Sequence, residues 1–158
     1  MLLVVITAGA GFAQVVNSAL PGQRFSGEIA VNATQEVVWS LLTDVQKSFP
    51  LMGYSYLRGF NRFMQVGDAA LMKSGDDTGE VVATYMEPMK EVRYTFDPKN
   101  GSYLCQQQWK VTTAAGTTKI FFVERYTESG RQRSAQIRAQ IRDFNEGLKR
   151  LKMMAEGK

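Results

Sequence analysis

The 158-residue chain contains no histidine. That absence removes the commonest general base, the commonest metal ligand and every Ser/His or Cys/His dyad. A single cysteine, Cys105, rules out an intramolecular disulfide and leaves zinc and redox chemistry without their usual ligands. Proline is scarce, no repeat or low-complexity tract interrupts the chain, and no Lys or Arg precedes Arg24. No metal, no cofactor and no catalytic residue is expected from these features. What remains is ordinary for a folded protein: 44% hydrophobic and 22% charged residues, enough chain for one domain with a real core.

The net charge of +4 is unevenly placed. Residues 131–158 hold eight Lys/Arg against Asp143, Glu146 and Glu156, so this segment carries +5 and the rest of the chain a net −1. A basic surface spread over the whole fold is absent, and nucleic acid is not an expected partner.

Residues 1–20, MLLVVITAGAGFAQVVNSAL, begin with thirteen uncharged, mostly apolar or small residues. The run resembles the apolar stretch of an export signal, with Gly11-Phe12-Ala13 as a cleavage site, or a membrane anchor weakened by Gln14, Asn17 and Ser18. The expectation is an exported or membrane-anchored protein, cytoplasmic if this segment is not a targeting element. Residues 1–22 are thus set apart as a signal-like or anchor-like segment and linker, and 23–158 as the folded domain.

Beyond Pro21-Gly22, alternation at Phe25, Gly27, Ile29 and Val31 predicts a first strand. Thr34 then caps a helix whose stripe is Val37, Val38, Leu41, Leu42 and Val45, with Trp39 just off it and an end at 47–50. From 51 to 127 the period is two, and Gly, Pro, Asn and Asp turns divide six strands at about 51–57, 66–73, 79–86, 91–96, 103–113 and 117–126. Short turns between consecutive strands predict an antiparallel meander. Ile137, Ile141, Phe144, Leu148 and Leu151 form one apolar stripe on a long terminal helix whose other faces are basic. The fold class expected is α+β: a curved antiparallel sheet of about seven strands wrapped around that C-terminal helix.

This order, with GEIAVNATQEVVWSLLTD and its Val38-Trp39 pair, Gly79-Glu80-Val81, the stretch from Pro88 to Tyr94, and Gln108-Trp109-Lys110-Val111, resembles the START-like superfamily, also called SRPBCC or helix-grip. That superfamily includes polyketide cyclase/dehydrase-type proteins and plant pollen-allergen-like carriers. The resemblance covers residues 24–155 and departs at Thr34, where many relatives have proline. It implies a cavity between sheet and terminal helix and carries no shared catalytic residues.

The residues expected to face such a cavity are Tyr94, Phe96, Tyr103, Gln107, Trp109, Phe122 and Glu124 from the strands and Phe144, Gly147 and Leu148 from the helix. On the last strand the parity is open, and either Glu124 or Arg125 points inward. Gln107 either orients a ligand, makes a structural hydrogen bond, or sits in a register that leaves Gln106 to Gln108 mostly in solvent, and Gly147 marks either ligand space or close packing of the helix on a strand. Met52, Met64, Met72, Met86 and Met89 suit varied apolar shapes or simply fill gaps. The mixed segment 57–65 reads as a lid at the cavity mouth or as a bulged strand. The leading functional expectation is binding or transport of a hydrophobic small molecule or lipid. Alternatives are a cyclase, dehydratase or hydrolase using pocket Tyr and Glu groups such as Tyr94, Tyr103 and Glu124, and an interaction module tethered to a membrane by the N-terminal segment or drawn to anionic lipid by the basic helix.

Overall fold

A computed structural model describes residues 14–19, 23–99, 103–128 and 134–158, with side chains described over 26–99, 103–126 and 144–158. The elements are β1 (Gln14–Ala19), β2 (Gln23–Val31), α1 (Gln35–Thr43), α2 (Val45–Leu51), β3 (Tyr54–Gly59), β4 (Ala69–Ser74), β5 (Asp77–Glu87), β6 (Glu91–Pro98), β7 (Tyr103–Ala114), β8 (Thr117–Glu128) and α3 (Ser134–Ala155). The strands form one antiparallel sheet in the order β1-β2-β8-β7-β6-β5-β4-β3. The predicted meander is therefore present, with its last strand closing back on β2.

Two expectations need correction. The sheet has eight strands, because Gln14–Ala19 pairs antiparallel with Gln23–Glu28. This strand lies inside the segment read as an export signal or membrane anchor. Its backbone groups are committed to a ladder with β2, and no helix among the described residues is long and apolar enough to cross a membrane. The signal and membrane readings fail there, while Gly11-Phe12-Ala13 lies outside the described residues. Second, 47–50 does not end the helical region: Pro50 sits inside α2, in a last turn that Met52 and Gly53 close by donating to the Phe49 and Pro50 carbonyls. Among the described residues β1 and β3 are the edges of the sheet. Its strands shift register at Tyr56/Arg58 and Ala83/Tyr85, where bulges bend β3 and β5 locally.

Only one face of the sheet is buried, which is why the strands alternate. On β8, Ile120, Phe122, Glu124 and Tyr126 point inward and Arg125 outward, settling the parity. Thr34 caps α1 by accepting from the Val37 amide at 3.4 Å, and Val38, Leu41 and Leu42 are buried while Val37 is exposed. On α3, Phe144, Leu148 and Leu151 are buried and Lys149 and Arg150 exposed, as the stripe requires. The side chains of Ile137 and Ile141 lie outside the described residues. The C-terminal end of α3 is tied to the end of β2: Lys152 Nζ donates to the Ala30 carbonyl at 2.7 Å, and Glu156 accepts from the Asn32 amide at 2.9 Å. Of the methionines, Met52 and Met72 are core residues, whereas Met64 and Met89 are exposed.

Candidate functional site

The register stacks the inward residues of β6, β7 and β8 into rows across the sheet. Phe96, Cys105 and Tyr126 share one row; Tyr94, Gln107 and Glu124 the next; Val92, Trp109 and Phe122 the third. Apart from the Cys105 thiol, the outer rows are aromatic or aliphatic. The middle row is polar, and it lies inside the core because a one-residue slip would be needed to turn it out.

Aromatic rings pack over this floor. Tyr94 meets Phe49 at 5.2 Å and Phe63 at 5.8 Å between centroids, Tyr54 meets Phe49 at 5.2 Å and Phe96 at 5.4 Å, and Phe122 lies between Trp109 at 4.3 Å and Phe144 of α3 at 5.1 Å. Tyr103 contacts Phe96 and Tyr126 from the other side and donates to Asp77 at 3.0 Å. Tyr94 donates to the Leu42 carbonyl at 2.8 Å, pinning the end of α1 to the sheet.

Gln107 organises the polar row. Its Nε2 donates to Glu124 Oε2 at 2.9 Å and to the Tyr54 hydroxyl at 3.2 Å, and its Oε1 accepts from Trp109 Nε1 at 3.4 Å. The Tyr54 hydroxyl in turn lies 3.9 Å from Cys105 Sγ. Glu124 is fully buried, and its second oxygen, Oε1, has no hydrogen-bond partner. Burial pushes the Glu124 carboxyl up to about 7, with the Tyr126, Cys105 and Gln107 groups around it pulling part of the way back. The same desolvation raises Tyr54, Tyr94, Tyr103, Tyr126 and the Cys105 thiol, so these groups stay protonated at neutral pH. Among the described residues no group of three Cys, Asp and Glu comes together that could hold a metal ion.

Of the ten residues named from sequence, nine converge on this inner face: Tyr94, Phe96, Tyr103, Gln107, Trp109, Phe122 and Glu124 on the strands, Phe144 and Leu148 on α3. Gly147 stands apart, because a Cβ there would lie 2.6 Å from Met52 Sδ and 2.7 Å from the Leu51 carbonyl oxygen. It serves the crossing of α3 over the end of α2. Sequence reasoning missed Phe49, Tyr54 and Phe63, which reach the site from α2, β3 and the loop after it. No local spacing marks them, since the turn of α2 back into β3 is what brings them over Tyr94.

In the segment 57–65 the register shift at Tyr56/Arg58 agrees with the bulged-strand reading, and a loop follows that buries Phe63 and exposes Phe60 and Met64. Asp68 Oδ2 holds the loop by accepting from the Met64 and Gln65 amides at 2.6 and 3.1 Å. Elsewhere, a groove of about 690 Å³ runs past Arg58, Leu71, Glu80 and Lys99, and one of about 360 Å³ separates Val37 and Leu41 of α1 from Met154 of α3.

No family model matches the chain, and no curated protein matches its sequence. Solved structures do match over most of its length. A conserved protein of unknown function from Enterococcus faecalis, EF2215, superposes with a TM-score of 0.64 at 18% identity over 90% of this chain and 77% of its own. CalU16 from Micromonospora echinospora gives 0.64 at 13% identity, covering 96% and 78% of the two chains. Ara h 8.0201 gives 0.63 at 12% identity, covering 87% and 100%. At these identities the likeness is one of fold: the chain is similar to helix-grip proteins in its antiparallel sheet cradling a C-terminal helix.

Proposed function

We propose that the protein binds a hydrophobic small molecule between the inner face of β6–β8 and α3. The observation that carries this reading is Glu124: a carboxyl group fully buried among aromatic rings with one oxygen unpartnered. A buried unsatisfied polar atom costs about 1–3 kcal/mol, and a leucine at the same register would pack without that cost. Such a group is retained where something other than stability uses it. The aromatic rows around it match an apolar ligand, and the helix-grip architecture supports the same reading by analogy of fold alone.

The two tryptophans give a direct test. Trp109 sits within the site, and Trp39 lies on α1, half-buried against another part of the core. Titration with anilinonaphthalene sulfonate or a naphthalene series, followed in amide and indole N–H correlation spectra, moves the Trp109 indole resonance and leaves that of Trp39 in place. Native mass spectrometry of the purified protein checks for a co-purified apolar molecule. Probes that shift neither indole, or Trp39 alone, would count against the site.

A second reading is favoured by the raised carboxyl of Glu124. A group near 7 in a water-poor site is matched to proton transfer at neutral pH, as a cyclase, dehydratase or hydrolase would need. In that case Glu124→Gln retains probe binding and abolishes turnover, and retained turnover removes Glu124 as the required acid or base.

A further inference from the structure

The hydrogen-bond network around Glu124 fixes which of its oxygens is free and what that oxygen can do. Trp109 Nε1 donates to Gln107 Oε1, which turns the Gln107 amide nitrogen toward Glu124. Both remaining valences of that nitrogen are used, one on Glu124 Oε2 and one on Tyr54. Oε2 is therefore committed as an acceptor, and a proton on the carboxyl resides on Oε1, the atom with no partner. Among the described residues no Lys or Arg pairs with Glu124, while Arg125 points to the opposite face. The Tyr126 hydroxyl and the Cys105 thiol lie near enough to favour an ionised Glu124, but neither meets hydrogen-bond geometry at Oε1, so below its raised value the neutral carboxyl offers an O–H donor that the protein leaves unused.

We infer that Glu124 Oε1 donates a hydrogen bond to the carbonyl oxygen of its ligand, so that the site selects apolar molecules bearing a ketone or ester oxygen over plain hydrocarbons and over amines. This rests on the binding reading above and names the polar half of the ligand. The other groups facing Glu124 are Tyr54 from β3, Cys105 and Tyr103 from β7, and Tyr126 from β8; from α3, Phe144 and Leu148 carry no titrating group. All four titratable neighbours are held protonated by burial, so Glu124 is the group whose charge changes between weakly acidic and weakly alkaline pH.

The test uses three probes of nearly equal size, acetylnaphthalene, ethylnaphthalene and naphthylmethylamine, titrated into the full chain and into Glu124→Leu and Glu124→Gln. At about pH 5.5 the wild type binds acetylnaphthalene about tenfold more tightly than ethylnaphthalene, the range of one good buried hydrogen bond. By about pH 8.5 the advantage falls to about twofold or less, because an ionised carboxylate cannot donate. Glu124→Leu binds both probes equally at either pH, and Glu124→Gln, which keeps a donor, retains a preference that no longer varies with pH. Equal binding of acetyl and ethyl probes by the wild type, or a preference for the amine at about pH 5.5, overturns this inference and leaves apolar binding standing. Failure of all three probes to bind removes both.

Discussion

Gln107 and Glu124 face each other at a directly paired position of β7 and β8, 2.9 Å apart, beneath the aromatic layer that α2 and β3 lay over the sheet. The pair places an amide and an acid between a row of Phe96, Cys105 and Tyr126 and a row of Val92, Trp109 and Phe122. Its energetic consequence can be measured without knowing any ligand.

The folded-state value of Glu124 is raised from 4.5 to about 7, so between those values the folded protein holds a proton that the unfolded chain has released. Stability is then greatest at and below about pH 4.5 as far as this group is concerned, falls as pH rises through the folded value, and is constant above about pH 8. The full effect is of order 3 kcal/mol. Urea unfolding across this range is expected to show that decline in the wild type and to lack it in Glu124→Gln. Parallel profiles for the two proteins would mean that the carboxyl is solvated in the folded state.

Cys105 lies on the same face, fully buried, and desolvation raises its thiol well above the ordinary value. Ellman's reagent is therefore expected to modify the folded protein slowly, at a rate that climbs with urea as the sheet opens. Rapid labelling at zero urea would reveal a path from solvent to this row. An apolar ligand seated over the row is expected to slow labelling further.

Much of this site was legible in sequence because the meander has period two and the terminal helix a strong stripe. Seven of the inward residues follow from alternation once the strands are placed, and Phe144 and Leu148 follow from the stripe. The parity of β8 was not legible, since Phe121, Val123 and Arg125 alternate as well as Phe122, Glu124 and Tyr126. The register of β7 against β8 decides it by seating Glu124 opposite Gln107. Nor was β1 legible: Val15 and Val16 continue the apolar composition of the preceding residues, and composition alone does not separate a strand paired with β2 from a targeting segment. Phe49, Tyr54 and Phe63 were missed because their contacts with Tyr94 and Phe96 are long-range and leave no periodic trace.

Gly147 tests the helix seat. Replacing an interior helical glycine by alanine ordinarily gains up to about 1 kcal/mol of helix propensity, which by itself would stabilise α3. Here the added Cβ meets Met52 Sδ at 2.6 Å and the Leu51 carbonyl oxygen at 2.7 Å. The methionine can swing away, but the carbonyl belongs to the last turn of α2 and moves only with the backbone. The clash therefore outweighs the propensity gain, and Gly147→Ala is expected to lower stability by about 1–2 kcal/mol in urea unfolding. A stabilised Gly147→Ala variant would show that α3 sits farther from α2 than this contact requires. Because Phe144 lies one turn earlier on α3, against Phe122, that result would also loosen the roof over the Gln107–Glu124 pair.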